Sequence, residues 1–171
     1  RYSFPSVEEV TSDKFLTWGW DDGLPAHTPT FIFKMATVKG KIYSPKGGLL
    51  LIQDGYYHRI ETWDRTTEHL KYFEDQVEFV KSLSNDPLDD LTIRLHGSYR
   101  HANPFEKEAW HQSNPTVKVD TGNVNIRELI GGSRLVVHAF DSTGILETLS
   151  QDIPTLAFWA NGLDHLRESA K

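Results

Sequence analysis

Residues 48–54 read GLLLIQD, four large apolar side chains in a row behind a glycine. Such a run has no polar face, so it describes a strand buried on both sides rather than one that alternates between core and water. A strand of that kind needs a layer above and a layer below it. The rest of the chain offers those layers. Residues 64–83 carry Leu70, Phe73, Val77 and Val80 at spacings of three and four, with Phe79 and Leu83 beside them, which predicts a helix. Asp64 or Thr66 could cap its start, and Asn85-Asp86-Pro87 is expected to break it. Further strands are expected at 91–96, 116–119, 134–140 and 155–159, separated by short helices at 104–112, 125–130 and 142–151. The last of these presents Ile145, Leu146 and Leu149, and a final helix is expected from 163 to 171. Strand–helix alternation with short joins implies an α/β fold, a Rossmann-like parallel sheet with helices on both faces. Residues 1–47 read as an opening segment and connecting loop, with an edge strand at 31–33, and residues 48–171 as the Rossmann-like domain.

A chain of 171 residues fits one domain and can bury roughly 70% of its unfolded surface. It has no cysteine, which excludes disulfides, thiolate metal sites and thiol nucleophiles. Lys and Arg number 18 against 24 Asp and Glu, a net charge of −6. That balance argues against a broad nucleic-acid face and leaves room for a local basic pocket. No apolar run approaches the ~20 residues of a transmembrane helix, and no signal peptide is visible. The chain opens on Arg1 and is read as an excised fragment of a longer protein.

Ligands of open parallel sheets bind at the carboxyl ends of the strands. That rule selects the loops 53–59, 96–103, 120–125 and 139–144. His138 to Glu147 reads HAFDSTGILE, a strand end, a hydroxyl-rich turn and a helix start. Two roles fit it. Ser142, Thr143 and Gly144 could bind a phosphate, with Glu147 one turn later accepting from ribose hydroxyls. Alternatively, Ser142 simply caps the helix and Glu147 is solvated surface. His96 ends its strand and could hydrogen-bond a phosphate oxygen, with Arg100 and His101 adding charge, or it is an ordinary loop residue. Arg59, after His58, could fork onto phosphate or stand as a surface Arg. The stretch 120–123 (DTGN) could meet a nucleobase, though an Asx turn suits it better. The dinucleotide and P-loop fingerprints are absent, as are HExxH and GxSxG.

Three segments carry a resemblance: residues 12–20 (SDKFLTWGW), the His96 loop, and residues 141–159 (DSTGILETLSQDIPTLAFW). Together they resemble a family of bacterial surface-polysaccharide transferases of the O-antigen type. That family is similar in turn to the Kdo and capsule glycosyltransferases of GT-B architecture, and the likeness spans nearly the whole chain. It implies two facing Rossmann-like domains, of which this chain looks like the C-terminal, nucleotide-sugar-binding half. It also implies an inverting, metal-independent transferase with no cofactor, the nucleotide sugar serving as donor and a glycan or lipid-linked molecule as acceptor. The catalytic base would belong to the missing N-terminal domain, the isolated fragment would be inactive, and the location would be the cytoplasm, including the cytoplasmic face of the inner membrane. By the same resemblance, His96 matches a phosphate-contacting His-Pro pair, but Gly97 replaces the Pro, which leaves UDP, GDP and TDP donors open beside CMP. Ser142 and Thr143 match a phosphate-binding pair and Glu147 the ribose carboxylate. Two other readings fit the same residues: a non-catalytic nucleotide- or partner-binding module, and a nucleotide-sugar epimerase.

Overall fold

The computed structural model describes residues 7–37, 43–55, 66–99, 104–159 and 162–164. They fall into two compact units, one within 1–40 and 164–171 and the other within 41–163.

In the first unit, α1 (Val7–Thr11) precedes a two-stranded parallel pair, β1 (Phe15–Thr17) and β2 (His27–Pro29). The strand expected at 31–33 is not formed. Met35 N–H donates to Ile32 O and Ala36 N–H to Phe33 O, so the backbone closes on itself as a 3₁₀ turn at Phe33–Met35. Local i→i+3 bonds leave these groups nothing to offer a sheet.

The second unit holds a parallel sheet in the order β5-β4-β3-β6-β7. The strands are β3 (Gly48–Ile52), β4 (Leu91–Arg94), β5 (Lys118–Asp120), β6 (Ser133–His138) and β7 (Thr155–Ala157). Between them lie α2 (Thr66–Ser82), α3 (Asn85–Asp89), α4 (Glu106–Ser113), α5 (Ile126–Gly131) and α6 (Thr143–Leu149). The Rossmann-like α/β reading therefore holds. β3 is the central strand, and its Leu50 and Leu51 are wholly buried. Its side chains alternate as a pleat requires. Leu49 and Leu51 join Ile93, Val137, Val80 and Trp110 in one core, whereas Leu50 joins Val136 and Ile153, with Ile52, Ile126 and Leu129 packed alongside. One face is thus covered by α2 and α4 and the other by α5 and α6.

The sequence Asn85-Asp86-Pro87 does end α2, yet it opens α3 rather than a loop. Pro87 sits in the first turn, where its missing N–H would have had no helical partner. In α6 the inward face differs from the expected one. Leu146 and Leu149 are 40% and 53% exposed, and Thr148 is the buried residue. Its hydroxyl lies 3.0 Å from the Gly144 carbonyl and 2.8 Å from Thr155 Oγ1 at the start of β7, a polar seam that turns the leucines outward. The helix expected at 163–171 lies outside the described residues apart from a turn at 162–164.

Candidate functional site

From β3 the chain steps outward to β4 and β5, and from β6 it steps the other way to β7. The reversal lies between β3 and β6, and the crevice above the carboxyl ends of these strands is where such sheets take ligands. His96 follows β4 and Ser142 follows β6, with β3 between them. Both follow the carboxyl ends of their strands, and β4 and β6 themselves are about 10 Å apart, two strand spacings.

The His96 loop folds onto the end of β3. A methyl group at Gly55 would fall 2.5 Å from His96 Nδ1 and 3.0 Å from Ser98 Oγ, so only a bare α-carbon admits the ring there. Ser98 N–H donates to His96 Nδ1 at 3.2 Å, and Ser98 Oγ lies 2.7 Å from the same nitrogen. With Nδ1 accepting, the neutral ring carries its proton on Nε2, and that N–H is the group the exposed imidazole can offer a ligand.

On the other flank, Ser142 is the N-cap of α6. Its backbone is extended and its Oγ accepts from Gly144 N–H at 3.0 Å. The cap uses a lone pair of the hydroxyl, not its proton, so Ser142 can still donate. Thr143 Oγ1 donates to Glu147 Oε1 at 3.3 Å, which sets that carboxylate against the turn. Behind them His138, the last residue of β6, is 1% exposed, and neither ring nitrogen has a protein partner. Its ring edge faces Gly144, where an added Cβ would lie 3.0 Å from Cε1 and 3.1 Å from Ser142 Oγ. Burial lowers the His138 pKa to about 4 while the charge of Glu147 works the other way, so the ring is neutral at pH 7.

On the α2/α4 face, the end of β3 carries a buried polar ladder. Gln53 Nε2 donates to Gln76 Oε1 at 3.1 Å, Trp110 Nε1 donates to Gln53 Oε1 at 2.9 Å, and Gln76 Nε2 donates to the Tyr72 carbonyl at 3.2 Å. The Tyr72 hydroxyl receives Asp54 N–H at 3.0 Å. One turn before Trp110 on the same face of α4 stands Glu106, 4% exposed, with Oε1 unpartnered. Burial, and then the charge of Asp54, raise its pKa from 4.5 to about 7.

Arg59, with His58, Arg100 and His101, lies outside the described residues. The stretch after β5 is the Asx turn. Asp120 Oδ1 accepts from Asn123 and Val124 N–H, each at 3.3 Å, and the carboxylate pairs with Arg94. Burial would raise the Asp120 pKa, but the Arg94 hydrogen bond, the Val124 amide and the Arg94 charge outweigh it and hold the carboxyl below its usual value. Among the described residues no group of three or more His, Asp or Glu is placed to hold a metal ion. An open groove of about 520 Å³ lies instead at the amino end of β3 and β6, lined by Gly48, Asp90, Lys118, Glu128 and Ser133. It is remote from the carboxyl edge where the polar side chains gather. The sequence reading placed His138 at its strand end without giving it a role, and Glu106 escaped it altogether. The signal for Glu106 was a carboxylate one turn from a tryptophan on the inward face of a helix.

Fold and topology together define an α/β protein whose parallel sheet reverses direction between β3 and β6. The chain matches the model of the LIC12162 family of transferases over residues 2–171 and belongs to that family. No curated protein and no solved structure matches it. No helix among the described residues is long and apolar enough to cross a membrane.

Proposed function

We propose that this transferase is a glycosyltransferase of bacterial surface-polysaccharide synthesis, and that the chain is its nucleotide-sugar-binding half, residues 48–171 forming the donor domain and residues 1–47 leading into it. What supports the reading is that His96, Asp54-Gly55 and Ser142-Thr143 follow the carboxyl ends of three neighbouring strands, β4, β3 and β6, with Gly55 packed against the His96 ring. Membership of a transferase family supports a group-transfer reaction.

In this reading the donor phosphate lies over the end of β3. His96 Nε2–H and the Ser142 hydroxyl donate to its oxygens from either side, and Arg59, four residues beyond Gly55, adds a bidentate cation. Thr143 and the amide of Gly144 line the same turn. Glu147 accepts from the ribose hydroxyls. During transfer the acceptor oxygen bonds to the anomeric carbon with inversion, while the bond from that carbon to the phosphate oxygen breaks. The electron pair goes to the nucleotide phosphate. Donors placed where that charge grows lower the barrier without a metal ion. The acceptor's proton goes to a base on the partner domain of a GT-B pair, so the chain alone binds donor without turning it over.

Thermal shift and ligand-detected NMR with CMP, UDP, GDP and TDP test this. One nucleotide should stabilise the chain, by about 2.7 kcal/mol at one hundred times its Kd. Ser142→Ala/Thr143→Ala should remove the effect with circular dichroism unchanged. If all four nucleotides leave a folded chain unaffected, the donor-site reading is lost and a partner-binding module replaces it.

A further inference from the structure

Tyr72, on α2, meets the ends of both strands that flank the reversal of the sheet. Its hydroxyl accepts Asp54 N–H at 3.0 Å just beyond β3, and its ring stands edge-on to Phe140 just beyond β6, with 6.2 Å between centroids and 78° between planes. Phe140 in turn stands edge-on to His138, also at 6.2 Å. The tyrosine is held from below. One turn further along α2, Gln76 donates to the Tyr72 carbonyl and accepts from Gln53, which accepts from Trp110, and Gln76, Gln53 and Trp110 are at most 1% exposed. Bonds made out of reach of water keep their geometry, because breaking one leaves a buried donor or acceptor bare. This frame fixes Tyr72 relative to Gln53, the residue just before the one its hydroxyl holds.

From the hydroxyl a row of short contacts leads to His96. Asp54 Oδ1 accepts Gly55 N–H at 2.8 Å, the bare α-carbon of Gly55 lies against the His96 ring, and His96 Nδ1 accepts from Ser98 N–H. The seat is tight, since a methyl at Gly55 would come within 2.8 Å of the ring Cγ as well as 2.5 Å of Nδ1. Even a small shift of the Asp54–Gly55 turn is therefore felt at the imidazole.

We infer that Tyr72 is a positioning residue for His96: its hydroxyl fixes the Asp54–Gly55 turn, and that turn holds the imidazole in the tautomer whose Nε2–H is the donor. What His96 does there rests on the donor-site reading; how it is held does not. Tyr72 touches no reacting group, and its two ends act on different flanks. The hydroxyl governs the β3 and His96 side, whereas the ring braces Phe140 on the β6 side, where Ser142 caps α6. Phenylalanine at position 72 keeps the ring and drops the hydroxyl, so Asp54 N–H turns to water and the turn gains freedom. Leucine drops both.

Long-range proton–nitrogen NMR of the 171-residue chain with labelled histidine, at pH 8, reads the tautomer of each of its eight rings, and His96→Gln assigns the signal. The unaltered chain should show His96 with its proton on Nε2. In Tyr72→Phe the two nitrogen signals of His96 should draw together as both tautomers become populated, while the Gly144 amide stays where it was. Whichever of CMP, UDP, GDP and TDP binds the unaltered chain should bind Tyr72→Phe about fivefold more weakly, the worth of one neutral hydrogen bond. Tyr72→Leu should move the Gly144 amide as well. Gly55→Ala displaces the ring directly and should reproduce the His96 change with Tyr72 intact. Because both substitutions act through one seat, Tyr72→Phe/Gly55→Ala should weaken binding no further than Gly55→Ala alone. Mixed tautomers already present in the unaltered chain, an unchanged His96 signal in Tyr72→Phe, or losses that multiply in the double variant overturn the positioning role and spare the donor site. A His96 signal that responds as described in a chain that binds none of the four nucleotides upholds the tie between Tyr72 and His96 and overturns the donor site.

Discussion

Glu106 shows how one side chain can be set against the stability of its own fold. Its pKa rises from 4.5 to about 7 on folding, so between those values the folded chain holds a proton that the unfolded chain has released. Stability must therefore fall as the pH climbs through that window, by up to about 3 kcal/mol for a shift of this size. Glu106→Gln, which cannot ionise, should raise the melting temperature by several degrees at pH 8 and change it little at pH 4.5. A chain equally stable with either residue at pH 8 would mean that Glu106 is not buried as a charge. None of this was legible in the sequence, where Glu106 lies in a stretch read only as a short helix. Burial is a property of what packs on a residue, and the face shared with Trp110 was the single hint. The positions of His96 and Ser142 just past strand ends were legible because strand ends are, and the Asx turn at Asp120 because its side-chain chemistry is local.

At the scale of elements, the strands and helices were readable wherever an apolar period was unambiguous, as in α2 and β3. Reading failed where polar groups decided the packing. The inward residue of α6 is Thr148, because its hydroxyl meets Thr155 across the joint to β7, and no hydrophobic pattern reports a hydroxyl pair. Thr148→Val keeps the shape and removes the bonds. It should cost about 1 kcal/mol by chemical denaturation, since the bonds of the Thr148 hydroxyl are lost while the Thr155 hydroxyl still donates to the Ile153 carbonyl. The start of α6 permits a separation of structure from ligand. Ser142→Ala removes both cap and donor and should cost about 1 kcal/mol. Ser142→Asn keeps a capping oxygen, so it should restore most of that stability in the same denaturation assay. An alanine variant as stable as the wild type would show that the cap contributes nothing.

For the whole molecule, two buried groups oppose each other. His138 falls from 6.5 to about 4 on folding, so the unfolded chain takes up the extra proton and acid destabilises the fold through that range. Glu106 acts with the opposite sign from 4.5 to about 7. The two slopes overlap between roughly pH 4.5 and 6.5 and should nearly cancel there, leaving a flat stability profile from these groups. Each variant should unmask the other: with Glu106→Gln stability should drop on acidification below about pH 6.5, and with His138→Phe it should rise. Denaturant midpoints across pH 4–8 for the three proteins check this, and parallel profiles would refute it. The approach of Gly55 to His96 has a consequence of its own. Imidazole and α-carbon occupy space that a single methyl would contest. Relatives that place a side chain at the first position should have surrendered the ring at the second, so the two sites should drift through descent as a linked couple rather than one by one.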